Sequence, residues 1–226
     1  MKVLLIVPAY NEEENIVRVC ANLKENYSQY DFIVVNDGSL DSTLELCKEN
    51  QFPVINLPVN LGLAGAFRTG MKYAERKGYD CAVQFDADGQ HLPEYIEPML
   101  KEIENGADVV IGSRFVTKKK PVTLRMIGSH LISATMYITT GVKIKDPTSG
   151  MRVFNRSILT ECAKKINYGP EPDTVAYFLK KGKVVKEIQV KMEERIAGES
   201  YLNLTKSILY MLRMMISLIF IQNFRE

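Results

Sequence analysis

Short, wholly apolar runs alternate along this chain with longer stretches whose apolar residues recur every three or four positions. That is the pattern of strands buried on both faces, separated by amphipathic helices. The runs at 2–7, 32–35, 53–57, 81–85 and 107–111 are too short for helices and end in Pro, Gly, Asn or Asp, so they read as five strands. Between them, 12–26 carries Ile16, Val19, Cys20 and Leu23 on one helical face, with Glu12, Glu13 and Glu14 near its positive end. Further helices are predicted from Asp41 or Ser42 through Cys47, from Asn60 to about Lys77, and from Pro93 to about Asn105. Strands alternating with helices in this way predict an α/β fold: a Rossmann-like, mostly parallel mixed sheet flanked by helices.

The pattern changes after Arg114. A helix is predicted over 125–141, where Met126, Ile127, Leu131, Ile132, Met136 and Ile138 give a broad apolar surface. A turn at 146–150 leads into a strand, two short helices follow at 157–165 and from 169 to about 181, and 183–192 alternates like a half-buried strand. The last segment, 202–221, is apolar on nearly every side, with Arg213 in its middle. A bilayer span needs about 20 mostly apolar residues, and the cleanest run here is shorter. The segment therefore reads as an interfacial or partner-packed helix, with an ordinary core helix as the alternative.

In a sheet of this kind ligands bind beyond the carboxyl ends of the strands. The loops 8–12, 36–39, 86–90 and 112–114 all fall there, and each is polar. Alternation carried past the fourth strand sends Asp86 and Asp88 to the same side, so that with Gln90 they present three oxygen donors, a set suited to Mg²⁺ or Mn²⁺. D-x-D alone also reads as a solvated acidic turn, but four polar loops converging with Arg114 favour a nucleotide diphosphate and its metal. Gly62 and Gly65 open the third helix without a Walker sequence and serve either packing or ligand approach. Lys118-Lys119-Lys120 reads as a solvated loop or one that touches anionic lipid headgroups.

Composition narrows the classes. The 226 residues are 46% hydrophobic and 25% charged, enough to bury a sizeable core, and a net charge of +2 gives no global field for nucleic acid. Cys20, Cys47, Cys81 and Cys162 lack C-x-x-C spacing, and His91 and His130 have no cysteine at ligand distance, which argues against zinc. The chain opens on Met1-Lys2-Val3-Leu4-Leu5, a strand and not a signal peptide, so a reducing, cytosolic compartment is expected.

Taken together, Pro8-Ala9-Tyr10-Asn11-Glu12, Asn36-Asp37-Gly38-Ser39-Leu40-Asp41, Asn60-x-Gly62, Asp86-Ala87-Asp88-Gly89-Gln90-His91, Gly112-Ser113-Arg114 and Asp146-x-x-Ser149-Gly150-x-Arg152 resemble the family 2 glycosyltransferases with the GT-A fold. Within that family the chain is similar to the polyprenol (dolichol) phosphate sugar transferases, from Val3 to about Ser200. It lacks the Q-x-x-R-W of processive polysaccharide synthases, having no Trp. The resemblance implies inverting transfer of a hexosyl group from a UDP- or GDP-sugar to a polyprenyl (undecaprenyl or dolichyl) phosphate, by a peripheral protein at the cytoplasmic face of a membrane.

By position it implies that Pro8, Ala9, Tyr10, Glu12, Asp37, Ala87 and Arg195 bind the nucleotide sugar, and that Asp86, Asp88 and Gln90 hold the metal. Arg125, Ser149 and Arg152 would meet the acceptor phosphate, and Asp86, Asp88, Arg114 and Arg152 would form the catalytic set. Residues 1–200 would be the catalytic domain, with a nucleotide-binding half over 1–115 and an acceptor half over 116–200, and 201–226 a membrane-interface or partner-binding helix. A small integral membrane protein or a second copy is the expected partner. Two positions depart from the pattern: Asn36 stands where the family has Asp, and Glu199 where relatives often carry a basic residue.

The chemistry fits an acceptor of this kind. A sugar hydroxyl needs a general base, whereas a phosphate monoester, with a second pKa of about 6, is already largely dianionic at neutral pH. Cations at both phosphates are then the main requirement. Glu171 and Asp173 are the base candidates if the acceptor is instead a saccharide hydroxyl. A non-catalytic nucleotide-binding subunit of a membrane complex is the remaining alternative, disfavoured by the intact Asp86, Asp88 and Gln90.

Overall fold

The computed structural model describes residues 1–121, 123–165, 169–194 and 204–221, with the backbone alone for 124, 125 and 204–208. The chain runs β1 (Val3–Ala9), α1 (Ile16–Asn26), β2 (Asp31–Asn36), α2 (Thr43–Glu49), β3 (Val54–Asn56), α3 (Gly62–Arg76), β4 (Cys81–Gln84), α4 (Ile96–Glu104), β5 (Val109–Ser113), α5 (Leu124–Thr140), β6 (Arg152–Asn155), α6 (Arg156–Lys164), α7 (Pro172–Lys180), β7 (Val185–Gln189) and α8 (Leu204–Ile219). The seven strands form one sheet in the order β3-β2-β1-β4-β6-β5-β7. All pairings are parallel except those of β6, which lies antiparallel between β4 and β5, with Arg152 opposite both Gln84 and Ile111.

Alternation within the strands builds two cores. Leu4, Ile6, Ile33 and Val35 point to one face, where they meet Phe67 and Met71 of α3, Leu159 of α6, Phe178 of α7 and Met214 of α8. Val3, Leu5, Val7 and Val34 point to the other, against Ile16 and Leu23 of α1 and Ile96 and Met99 of α4. The predicted mixed sheet covered by helices is what forms.

Two elements differ from expectation. α1 begins at Ile16, not at residue 12, because the preceding acidic residues are engaged elsewhere: the Glu12 N–H donates to Thr43 Oγ1 at 2.9 Å, and Glu13 Oε2 accepts from the Ser42 N–H at 3.0 Å. α8 is two-sided. Met214, Ser217 and Leu218 are buried against the body, whereas Leu209, Leu212, Ile216, Ile219 and Phe220 are exposed. Ser217 Oγ donates to Asp173 Oδ2 of α7 at 2.6 Å, which fixes the inner side. Exposed Ile127, Leu131 and Ile138 of neighbouring α5 widen the apolar surface. No helix among the described residues is long and apolar enough to cross a membrane.

Candidate functional site

Because β6 runs antiparallel, the loop entering it lies at the same sheet edge as the loops leaving β1, β2, β4, β5 and β7. At this edge the 36–39 loop is stitched to its neighbours. Asn36 Nδ2 donates to Asn56 Oδ1 at 2.7 Å, Ser39 Oγ donates to Asn36 Oδ1 at 2.5 Å, and the Asn11 N–H donates to Ser39 Oγ at 3.0 Å. Gly38 has a positive φ of 67°, and a Cβ there would lie 2.7 Å from the Asn60 backbone nitrogen, so only glycine lets this loop meet the start of α3. Asp37 Oδ1 accepts from the Leu61 N–H at 2.8 Å. Burial still pushes the Asp37 carboxyl above the usual range, against the lowering effect of the Leu61 and Gly62 N–H groups. Pro8 and Ala9 lie in β1 paired with β2, Tyr10 is exposed, and Glu12 Oε2 accepts from Asn15 Nδ2 at 2.8 Å.

β4 ends at Gln84, yet the alternation continues into the loop. Phe85 and Ala87 enter the core on the α1 side, while Asp86 and Asp88 are half-exposed. Asp88 Oδ1 accepts from the Gln90 N–H at 3.0 Å, and Gln90 Nε2 donates to the Glu193 carbonyl at 3.3 Å, with no bond to Gln90 Oε1 among the described residues. Asp86 is held from three directions. Gln84 Nε2 donates to its Oδ1 at 3.2 Å, buried His91 accepts its backbone N–H through Nδ1 at 2.9 Å, and His91 Nε2 lies 3.6 Å from Oδ2. With Nδ1 accepting, a neutral His91 carries its proton on Nε2, toward the carboxylate. Gly150 borders the same oxygen: a Cβ there would come within 2.5 Å of Asp86 Oδ2. Among the described residues no three His, Cys, Asp or Glu side chains gather as a metal cage. A hard cation that keeps waters and phosphate oxygens needs only one or two carboxylates, so this oxygen-only set fits Mg²⁺ or Mn²⁺.

The 146–152 segment holds two of the expected acceptor residues in internal bonds. Arg152 is 1% exposed, and its three nitrogens donate to backbone carbonyls: Nε to Ser149 at 2.9 Å, Nη1 to Glu171 at 3.3 Å and Nη2 to Pro147 at 2.7 Å. It braces the loop from beneath, with each of its nitrogens engaged by a backbone carbonyl. Ser149, also 1% exposed, donates its hydroxyl to the Gly112 carbonyl at 2.6 Å and is equally committed. Asp173 is buried under Ser217, which removes it as a base for a hydroxyl acceptor. Arg114 donates from Nε and Nη2 to both oxygens of fully buried Asp146, at 2.7 and 2.8 Å, and Nη1 has no hydrogen-bond partner among the described residues. The Arg125 side chain, Arg195 and Glu199 lie outside the described residues.

Sequence reasoning named His91 within the aspartate-loop motif but gave it no role beyond arguing against zinc, and read Lys120 as one of three lysines in a loop that is solvated or touches lipid headgroups. The signal for His91 was its place two residues beyond Gly89 in a loop that also holds both carboxylates. Lys118 and Lys119 are exposed, but Lys120 is half-buried, and its Nζ donates to Ser129 Oγ at 2.9 Å and Ser133 Oγ at 3.3 Å. The four cysteines are buried, and burial pushes their thiols up, that of Cys47 to about 11.

Residues 4–162 match the family described as Glycosyl transferase family 2. The chain is 33% identical over 212 residues to the undecaprenyl-phosphate mannosyltransferase of Micrococcus luteus, covering 88% of this chain and 87% of that one. It is 30% identical over 212 residues to the polyprenol monophosphomannose synthase of Mycolicibacterium smegmatis, covering 88% and 80%. Among solved structures, glucosyl-3-phosphoglycerate synthase from Mycobacterium tuberculosis in complex with phosphoglyceric acid superposes with a TM-score of 0.71 at 19% identity, over 96% of this chain and 79% of that one.

Proposed function

From the premise that this chain belongs to glycosyl transferase family 2 and has the GT-A fold, we propose that it moves a hexosyl group, with inversion, from a UDP- or GDP-sugar to a polyprenyl phosphate. The observation that carries this is the pair Asp86 and Asp88, both half-exposed in the loop that leaves β4 at the polar edge of the sheet. The names of the two relatives support a polyprenyl phosphate acceptor and mannose as the sugar to test first. Asp86, Asp88 and Gln90 would hold Mg²⁺ or Mn²⁺, which supplies positive charge to the leaving diphosphate. Pro8, Ala9, Tyr10, Glu12, Asp37, Ala87 and Arg195 would receive the nucleotide sugar.

The acceptor phosphate is its own nucleophile, so the protein's task is to hold it in line and offset its charge. Arg114 through Nη1, together with Arg125, would do this. Turnover measured across mannose, glucose and N-acetylglucosamine donors of both nucleotides, with extraction of an organic-soluble sugar phosphate lipid, tests the reading. Products that stay water-soluble would shift the acceptor to a saccharide hydroxyl.

Asp37→Asn should separate binding from folding. The raised carboxyl of Asp37 stabilises the fold below the ordinary carboxylate pKa, and that contribution is lost as pH rises through its folded value. The ionised group is thus a cost at neutral pH, and an amide oxygen can still accept from Leu61. The expected result is an unchanged or higher melting temperature at pH 7, with nucleotide diphosphate affinity reduced about tenfold or more for loss of a charged acceptor. A matching fall in both would make Asp37 purely structural.

The lipid tail of such an acceptor stays in the bilayer, so the site must reach a membrane surface. The exposed side of α8 with the neighbouring side of α5 is the surface offered for peripheral docking at the cytoplasmic face, or for a small membrane protein or second copy. Replacing exposed Leu209, Ile216 and Phe220 together by Ser should abolish sedimentation with lipid vesicles while shifting the melting temperature little. Undiminished sedimentation would remove this face from the docking role.

A further inference from the structure

We propose that Lys120 is a further phosphate-binding cation of the acceptor site, which rests on the acceptor being a polyprenyl phosphate. Of the three consecutive lysines, the first two extend into solvent and the third folds back against α5. Its ammonium lies 5.5 Å from the centre of the Phe115 ring, and the Arg114 guanidinium lies 5.2 Å from the same centre. Two cations thus meet around one aromatic ring, at the start of the loop that leaves β5.

Their neutralisation is unequal. Arg114 has the buried carboxylate of Asp146. Among the described residues Lys120 Nζ has the hydroxyls of Ser129 and Ser133 as its hydrogen-bond partners and no carboxylate within ion-pair distance. Those hydroxyls are themselves engaged: Ser133 Oγ donates to the Lys145 carbonyl at 3.4 Å, and Ser129 Oγ lies 3.4 Å from Thr148 Oγ1. Removing an ammonium from water is costly unless an anion answers it. Burial disfavours the charge on Lys120 most; Asp146 favours it, Arg114 opposes it and Glu187 favours it, and the balance leaves the ammonium below its ordinary range.

A solvated loop does not explain why this lysine, alone of the three, turns inward. A dianionic phosphate monoester between Lys120 Nζ and Arg114 Nη1 would satisfy both donors left over after the internal pairing. Two hydroxyls fix the ammonium from behind, so the lysine is set in place before the ligand arrives.

The test compares Lys120→Met, which keeps the stem, and Lys120→Arg, which keeps the charge, with a Lys118→Gln/Lys119→Gln control. Acceptor KM is read with a short-chain, soluble polyprenyl phosphate, donor affinity by calorimetry, and membrane binding by sedimentation with anionic vesicles. Lys120→Met should raise acceptor KM about 10–100-fold, the value of a charge-assisted contact, while donor affinity and vesicle binding stay within about twofold. Lys120→Arg should recover most of the loss, and the control should match wild type. An unchanged KM in Lys120→Met, or a loss shared by donor affinity and melting temperature, overturns the assignment. If vesicle binding falls in step with KM, or the control falls equally, the lysine serves lipid headgroups and the assignment is again wrong. Wild-type protein inert toward every polyprenyl phosphate overturns the functional reading itself, an outcome distinct from an active wild type with an unaffected variant.

Discussion

Replacing Asp88 by Ala is expected to abolish metal-dependent binding of the nucleotide diphosphate while leaving the fold intact. The carboxylate is half-exposed, and its one bond among the described residues is the turn contact accepted from the Gln90 N–H. Surface substitutions of this kind usually stay within about 0.5 kcal/mol, so the melting temperature should move by about 2 °C or less. The binding loss should be far larger. A site that draws one or two carboxylates from the protein loses half its charge with one of them, and even changes behind the ligands cost about 10–100-fold. Calorimetry with nucleotide diphosphate and Mn²⁺, compared with the same titration in chelator, measures the difference. If wild type and variant bind equally well with metal, the cation is held elsewhere. Asp86→Ala should show the same loss together with a structural penalty, since Gln84 and His91 are arranged around that side chain.

The opposite profile is expected for Arg152→Lys: a large loss of stability, with donor affinity little changed in the protein that remains folded. A lysine ammonium can reach one, at most two, of the three carbonyls that the guanidinium now bridges. Each buried polar group left unpaired costs about 1–3 kcal/mol, so the variant should lose about 2–5 kcal/mol. For a chain of this size that lowers the melting temperature by about 5–15 °C. A variant with wild-type melting but impaired transfer would put Arg152 back at the acceptor.

These two residues mark the limit of what the sequence discloses. Strand and helix order was legible because burial on both faces leaves unbroken apolar runs and burial on one face leaves a helical period. The partial exposure of Asp86 and Asp88 was legible because the alternation of burial persists beyond Gln84, carried by Phe85 and Ala87. The carbonyl bonds of Arg152 and Ser149 were not legible, because a side chain that grips a phosphate and one that grips carbonyls are the same letters in the same loop. Only burial distinguishes them. Lys120 was hidden for a related reason: in a run of three lysines, composition does not say which one turns inward. Nor does an apolar helix such as α8 declare that one side serves the core and another the surface. That division depends on Ser217 meeting Asp173, two residues far apart in the chain.

The place of β6 in the sheet bears on the order in which the molecule can assemble. A nascent chain that has emerged only through residue 115 already holds β1 to β5, but β5 has no neighbour yet, since both its partners, β6 and β7, are still to come. On the other side of the gap, β4 shows a bare edge directly before the aspartate loop, and unpaired edges of this kind invite association with other chains. Closure waits for four residues, Arg152–Asn155, to slot between two strands made much earlier. Completing the sheet is therefore a long-range, late event, slower than a run of simple strand-helix-strand units. A fragment ending near residue 115 should aggregate on release from the ribosome instead of persisting as a small nucleotide-binding module, and the first catalytically shaped aspartate loop should appear only after the chain has passed Asn155.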